Sequence, residues 1–588
     1  GGDILLAGDI SPLLFSKLET LFAPVPYLWV NNTKVVFPKA RIRFVTANRS
    51  FNSRVCSVIG LNLESQQSED DGMDLDSRFR GNDGGLDAEV FETARIKAVT
   101  TALNKHLVIF IEGKTAVGKS YFIKNVLPKH IQNLTVRDGF ESIQDWASDT
   151  TSNTTKILFI DEANLQDPKQ LSQLLGIYGR PSGISIDGQF HTLTSQHKIV
   201  LAGNPASYQG RHLPPYFDSF KMHILPFSDL PECYLRHKVL DSIWKIASQN
   251  NNEISKNIDK QVLFDRLISL YQKANRSQQQ ITARNLQMML LHALTQPSSA
   301  HSSPALTLFG NSNSQTTQSL ATYVACLEIF GQFPQEQRQC FQQQLTPEEE
   351  RAFRSRKTLA ITASQDSQHS MQTKGFVTTD CYYEALLQLD KLLQIRTLKQ
   401  KCPDLNKFGY QGITIEGLPG IGKTEFVKHY LDARGEDYLQ LNPSNLSELQ
   451  KILRTCIRKG KILLIDEANL VMPLLEKELN EVLQGESKGK TTQLLLIGTQ
   501  NPPLYSGRLS ASDAYSNRHI TVHMEPSQQD LEHILKEKYP QVQNSREILE
   551  DYLKARRYAT EKNLPSPNPR DLFEQCAAPA VCSIAPKP

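Results

Sequence analysis

The chain has 588 residues, too many for one hydrophobic core, so roughly three to five domains are expected. Charged residues at 22% and hydrophobic residues at 39% fit a soluble globular protein, and no apolar stretch approaches the ~20 residues of a membrane helix. A net charge of +3 and a pI near 8.2 make a poor footprint for a dedicated nucleic-acid binder, though a local basic face fits within them.

The nine cysteines are scattered without a Cys-x-x-Cys pair. That argues against structural zinc and for reduced thiols in a cytoplasmic protein. No basic start followed by an apolar segment marks a signal peptide. The chain opens Gly1-Gly2 rather than Met, as expected of a fragment or of a broken reading frame.

In chain order, a strand-like run at 3–7 precedes Gly8 and Asp9, and another at 41–45 precedes Asn48. Residues 3–12 align with 156–165, and 41–48 take the place of 198–204. Gly8 stands where the later copies carry Asp, and Asp9 where they carry Glu. No phosphate loop precedes this copy. Residues 1–60 therefore read as the degenerate back half of a module. Residues 61–86 turn acidic and then Gly-rich, the composition of a flexible linker.

A strand-like run at 107–111 then leads into Gly113-Lys114-Thr115-Ala116-Val117-Gly118-Lys119-Ser120, and a helix-like run follows. The same succession returns at 412–415 with Gly417-Leu418-Pro419-Gly420-Ile421-Gly422-Lys423-Thr424. Glycines in such a loop let successive N–H groups turn inward on phosphates. The Lys reaches the terminal phosphates, and the Ser or Thr holds Mg²⁺. A strand, a Gly-rich loop and a helix N-terminus together form an anion site.

Each loop is followed by a buried-strand run ending in Asp-Glu, at Asp161-Glu162 and Asp466-Glu467, and residues 156–165 differ from 461–470 at one position. Asp161 and Asp466 are candidates to hold metal through water, beside Ser120 and Thr424. Glu162 and Glu467 are candidates to polarise an attacking water, since adjacent strand residues face opposite ways. Each copy then reaches Asn-Pro-x-x-Tyr-x-Gly-Arg, beginning at Asn204 and at Asn501. Before it the first copy has an extra hairpin signal around Asp187-Gly188, whereas 484–490 in the second reads as a plain turn.

This order of motifs, phosphate loop (Walker A), Asp-Glu strand (Walker B), Asn-Pro strand and a later Arg, resembles the AAA+ ATPases. The Ile-Asp-Glu-Ala-Asn-Leu run looks most like the dynein-related and midasin branch, with MoxR-type proteins nearby. The resemblance covers roughly two thirds of the chain. It implies an α/β fold of tandem P-loop modules, each a parallel αβα sheet domain with a small helical lid. On that pattern 87–228 is the first core and 229–296 its lid. Residues 297–373 form a polar, Gln-rich helical connector. The second core is 374–525, and its lid is 526–588.

The resemblance also implies ATP and Mg²⁺ as cofactors and carries over further residues. Asn204 and Asn501 match the first sensor, which orients water near the γ-phosphate. Arg284 and Arg570 match the lid arginine that touches the phosphates. Arg518 sits where the family places its trans-acting finger, with Lys221 in register in the first module. Lys lacks the planar fork, and the first loop lacks the Pro-Gly of the second, so unequal sites are expected. The function so implied is ATP hydrolysis to ADP and phosphate, driving remodelling of a macromolecular partner. The alternatives are a nucleotide-gated scaffold with little turnover and a GTP-using restriction-type motor subunit. A partner protein or macromolecule is expected but not identifiable, with no membrane and no indicated nucleic acid. Two and a half modules are too few for a ring, so an oligomer or a longer multi-module chain is expected.

Overall fold

A computed structural model of the protein describes residues 3–7, 27–30, 33–36 and 41–45, and then 88–577 except 115, 164–165, 167, 205–221, 251–257, 277–280, 296–312, 333–334, 364–370, 373–375, 443–446, 471–474, 476–478, 480–482, 484–485, 488–489, 492–493, 503–514, 516–517 and 562–566. Gly8, Asp9, Thr115 and Lys221 lie outside the described residues, as does the linker read at 61–86.

The chain divides into two compact units, Gly1–Met73 and Asp74–Pro588. In the first, β1 (Asp3–Ala7) pairs in parallel with β4 (Arg41–Val45), Asp3 opposite Arg41. Between them β2 (Tyr27–Val30) and β3 (Thr33–Val36) form an antiparallel hairpin.

The second unit opens with α1 (Ala88–Lys105), which feeds β5 (Val108–Gly113). A continuous helical run follows, Lys119–Tyr121, Phe122–Val126 and Leu127–His130. Then come β6 (Leu134–Asp138) and β7 (Thr155–Ile160), the hairpin β8 (Gly183–Ile186) and β9 (Gln189–Thr192), β10 (His197–Gly203) and β11 (His223–Phe227). The sheet runs β11-β5-β10-β7-β6, every pair parallel. Its central strands are apolar almost throughout because helices cover both faces, and successive residues feed opposite cores. Phe110, Leu158 and Leu201 pack on one side, and Ile109, Ile111, Phe159 and Val200 on the other. β10 pairs with β7 with His197 opposite Lys156, the register that Asp3 and Arg41 show in the aligned positions of the first unit. An antiparallel hairpin separates the paired strands in both cases.

Helices α2 (Lys260–Arg276), α3 (Ala283–Thr295), α4 (Asn313–Gln332) and α5 (Pro347–Ala363) link the sheet to α6 (Asp380–Lys401). Pro347 starts α5 with Glu348, Glu349 and Glu350 in its first turn, where the helix dipole favours acids. The Gln-rich α4 is a packed element, with Ala321, Val324, Ala325 and Cys326 fully buried.

A second parallel sheet follows from β12 (Gly412–Gly417), β13 (Tyr438–Leu441), β14 (Ile462–Ile465), β17 (Leu496–Gln500) and β18 (His519–Met524), with α7 (Lys423–Arg434) after its loop. Its order, β18-β12-β17-β14-β13, repeats that of the first sheet strand for strand. Between β14 and β17, β15 (Glu486–Ser487) and β16 (Lys490–Thr491) pair antiparallel. The segment expected as a plain turn is thus a minimal hairpin, its strands separated by the two-residue gap that tight hairpins favour. Helices α8 (Gln528–Lys538), α9 (Ser545–Glu561) and α10 (Pro569–Ala577) close the described chain. No helix among the described residues is long and apolar enough to cross a membrane.

One hydrophobic cluster joins α3, α4 and α6 to the second sheet. Inside it lies a polar knot in which Glu328, Lys391 and Tyr410 are at most 2% exposed. Lys391 Nζ lies 2.6 Å from Glu328 Oε2 and donates to the Tyr410 hydroxyl at 3.0 Å. Tyr410 donates to Glu328 at 2.7 Å, and Asn285 Nδ2 to Glu328 Oε1 at 2.8 Å. Glu328→Gln would leave the ammonium buried without its counter-charge, so a loss of about 3–5 kcal/mol is expected in urea unfolding. The double variant Glu328→Gln/Lys391→Met should recover much of that loss. A double variant as unstable as the sum of the singles would show that the pair is not the source.

Two buried histidines give the fold an acid sensitivity. Burial pushes His292 down to about 3, with Lys391 adding to the effect. Burial also pushes His519 down to about 4, opposed by the Tyr515 carbonyl and reinforced by Arg518. Both folded values lie below the ordinary ~6.5, so below that pH the unfolded chain binds more protons and stability falls as pH drops. Urea midpoints measured from pH 7 to pH 5 should fall, each histidine contributing up to ~1.4 kcal/mol per pH unit. His292→Asn and His519→Asn should flatten that slope, and an unchanged slope would sink the assignment.

Candidate functional site

Because the strand orders match, each phosphate loop leaves the strand beside the one that ends in Asn-Pro. The Lys119 ammonium is buried and donates to Gly113 O at 2.6 Å, Lys114 O at 2.9 Å and Asn204 Oδ1 at 2.9 Å. The Lys423 ammonium repeats this with Gly417 O at 2.8 Å, Leu418 O at 2.9 Å and Asn501 Oδ1 at 2.9 Å. Ser120 Oγ donates to Asp161 Oδ2 at 2.6 Å, and Thr424 Oγ1 to Asp466 Oδ1 at 2.7 Å. The structure thus brings the loop lysine and hydroxyl, the strand-end Asp and the Asn together in both copies.

The carboxylate pair is separated by a turn, not by strand alternation. β7 ends at Ile160 and β14 at Ile465, one residue before the Asp. Glu162 and Glu467 then adopt φ of +48° and +49°. This left-handed backbone is costly for a non-glycine residue and swings the Glu away from the Asp. The Asp holds the turn by accepting from the Glu backbone N–H, at 3.0 Å in the first copy and 3.1 Å in the second. Asn501 Nδ2 makes a long 3.5 Å contact with Glu467 Oε1.

The arginines sort by site. Arg284 begins α3, is half-buried, and is pushed by burial down to about 10, with Arg518 adding to that shift and Asp161 and Glu162 opposing it. Arg518, from the second sheet domain and 4% exposed, therefore shares the electrostatic surroundings of the first site. Arg570, exposed at the start of α10, belongs to the second loop. A Cβ on Gly420, whose φ is +83°, would come within 2.6 Å of Arg570 Cβ and 2.7 Å of Arg570 N. Ala116 occupies Gly420's place in the first loop at φ +65°.

Several residues near the loops escaped sequence reasoning. Thr499 donates to Asp466 Oδ1 at 2.8 Å and lies 3.0 Å from the Thr424 hydroxyl, while Ala202 takes its register position in the first sheet. Its signal was available in the sequence, two residues before Asn501 at the end of the same strand. Asn469, fully buried, donates to Asn501 O at 2.6 Å and gives the Asn of the repeated Ala-Asn-Leu a task. Beneath the second loop, burial pushes Glu416 up, but hydrogen bonds with His523 and Gln500 outweigh it and hold the carboxyl below its usual value. The register partners of Glu112 are Gly203 and Pro226, and burial, only partly offset by Lys119, leaves Glu112 raised.

The hydroxyl–Asp pair of each copy offers oxygen donors. Such a set fits Mg²⁺, which takes one or two protein oxygens and completes its shell with phosphate and water. Among the described residues no group of three or more His, Cys, Asp or Glu side chains forms a protein-only metal cage.

No family model matches the chain. Over 153 residues it is 28% identical to midasin of Dictyostelium discoideum, covering 21% of this chain and 3% of that protein. Over 169 residues it is 25% identical to midasin of Giardia intestinalis, covering 24% of this chain and 4% of that protein. The similarity is distant and partial, and falls in the branch that the repeated motifs resemble.

The contrast between Gly420 and Ala116 is open to experiment. Gly420→Ala combines left-handed strain of ~1–2 kcal/mol with a clash against Arg570, so the thermal midpoint should drop by several degrees. Ala116→Gly removes the same left-handed strain from the first loop, so the thermal midpoint should hold or rise. Equal behaviour of the two variants would refute the packing of α10 on the second loop.

Proposed function

We propose that both loops bind Mg-ATP, and that the chain hydrolyses ATP to ADP and phosphate to shift its modules against a macromolecular partner. The observation that carries this reading is the doubled arrangement: two sheets of the same strand order, each with a buried loop lysine on a sensor Asn and a loop hydroxyl on a strand-end Asp. The partial similarity to midasin points the same way.

In this reading Lys119 and Lys423 neutralise terminal phosphate charge. Ser120 and Asp161, like Thr424 and Asp466, hold Mg²⁺, the Asp through water. The bound Mg-ATP supplies the phosphoryl group to be cleaved. Glu162 or Glu467 accepts the proton as water forms its bond to the γ-phosphorus and the bond to ADP breaks. Asn204 and Asn501 keep that water in line, and Arg284 and Arg570 report the phosphate to the lids. Arg518 is the finger for the first site, reached from the second module of the same chain. Of the loop residues, 113–118 and 417–422 supply the phosphate cradle, Thr115 among them.

The module boundaries belong to the same proposal: cores at 87–228 and 374–525, lids at 229–296 and 526–588, connector at 297–373. The register shared by β1–β4 and β7–β10 supports residues 1–60 as the back half of a third module. We place the working form in a larger ring, either an oligomer or a longer multi-module chain.

The test is steady-state hydrolysis of ATP, with GTP alongside, by the wild-type chain and by Glu162→Gln, Glu467→Gln and Arg518→Ala. ATP turnover should exceed GTP turnover, and each Gln variant should keep ATP bound while losing its site's turnover. In a Lys423→Ala background Arg518→Ala should cut the remaining turnover by about 10³-fold or more, the scale of an arginine finger. ATP bound without hydrolysis at any protein concentration would replace the motor reading with a nucleotide-gated scaffold.

A further inference from the structure

One loop carbonyl is gripped from outside in both modules, by chemically different side chains. In the first, Arg95 of α1 donates from Nη1 to Val117 O at 3.0 Å and from Nη2 to Ser228 O at 2.7 Å. In the second, Tyr382 of α6 donates its hydroxyl to Ile421 O at 2.6 Å. Val117 and Ile421 hold the same place, one residue before the glycine that precedes the loop lysine. Both donors come from the helix that precedes the loop strand, Arg95 from its middle and Tyr382 from its first turn. Each is fixed by aromatic packing. The Arg95 guanidinium lies 4.4 Å from the ring centroids of Phe91 and Phe227, and the Tyr382 ring stacks 5.1 Å from Phe426.

The geometry of the peptide unit gives this grip a consequence. In a trans peptide the C=O and N–H point in opposite directions from one rigid plane. The carbonyl of Val117 shares its plane with the N–H of Gly118, and that of Ile421 with the N–H of Gly422. Gly118 and Gly422 have φ of +85° and +80°, and a glycine there leaves the preceding peptide free to turn over. A donor that holds the carbonyl outward therefore holds the N–H inward, where a phosphate oxygen accepts it.

We propose that Arg95 and Tyr382 are positioning residues that aim the Gly118 and Gly422 amides at the β-phosphate of the bound nucleotide. The proposal rests on the nucleotide reading of the two sites. That a guanidinium and a phenol serve the same carbonyl marks the carbonyl, not the donor, as the constraint.

Tyr382→Phe removes one hydroxyl and keeps the ring contacts. In a Lys119→Ala background, displacement of a fluorescent ADP analogue by ADP and by AMP reports the second site alone. ADP affinity should fall about 5- to 20-fold, while AMP affinity and the unliganded thermal midpoint stay unchanged. At the first site, in a Lys423→Ala background, Arg95→Met should show the same selective loss and Arg95→Lys should recover part of it. Unchanged ADP affinity in Tyr382→Phe would overturn the proposal, as would equal losses for ADP and AMP accompanied by a lower midpoint, the pattern of a packing role. A wild-type chain that binds no ADP would instead overturn the nucleotide reading, so the two failures are distinguishable.

Discussion

A buried ammonium cannot be left without acceptors, and each module is arranged around one. Lys119 and Lys423 are at most 8% exposed, each held by two carbonyls of its own loop and an asparagine oxygen. The loop carbonyls follow from local chain geometry. The asparagine does not, because it arrives 85 residues later in the first copy and 78 later in the second. It reaches the lysine only because the Asn strand lies directly beside the loop strand, about 4.8 Å away as neighbouring strands must be. The strand order is therefore part of the site. A fold with another order would leave a desolvated charge unpaired, at a cost of several kcal/mol.

The same reasoning extends across the joint between the modules. Arg284 leads into Asn285, whose amide ends on Glu328, which is in turn bound to Lys391 and Tyr410 of the second sheet domain. The helix that carries Arg284 is thus tied to the second sheet domain by a buried ionic knot. Arg518 comes from that same second module and lies in the field of Arg284. A rotation of α3 relative to the first sheet would carry the second sheet domain with it, because the knot resists opening in a low-dielectric interior.

Motif spacing made the sheets, the loops and the Asp-Glu and Asn positions legible in the sequence, because each depends on a short run with a local physical signature. The hairpin at Asp187-Gly188 was equally legible, and φ values of +48° and +80° are what its two-residue turn requires. What was not legible depends on distant partners. Arg95 and Tyr382 carry no motif, since one carbonyl can be met by any donor that reaches it. The turn that separates Asp161 from Glu162 was misjudged because alternation holds only inside a strand, and both residues lie just beyond one. Gly8, Asp9 and Lys221 lie outside the described residues, so their readings stand as expectations.

The two sites differ in ways that follow from single residues. The second has Thr499 bracing Asp466, Gly420 free of backbone strain, and Glu416 charged beneath the loop with His523 and Gln500 around it. The first has Ala202, a strained Ala116, and a Glu112 carboxyl that burial raises above its usual value. His523 and Gln500 hydrogen-bond Glu416 beneath the second loop, whereas the register partners of Glu112 are Gly203 and Pro226. It is at the first site that Arg284 and Arg518 gather. The first site thus combines two arginines with a loop strained at Ala116. The second replaces that strain with Gly420 and braces Asp466 through Thr499, so the two sites differ by single side chains although their sheets match strand for strand.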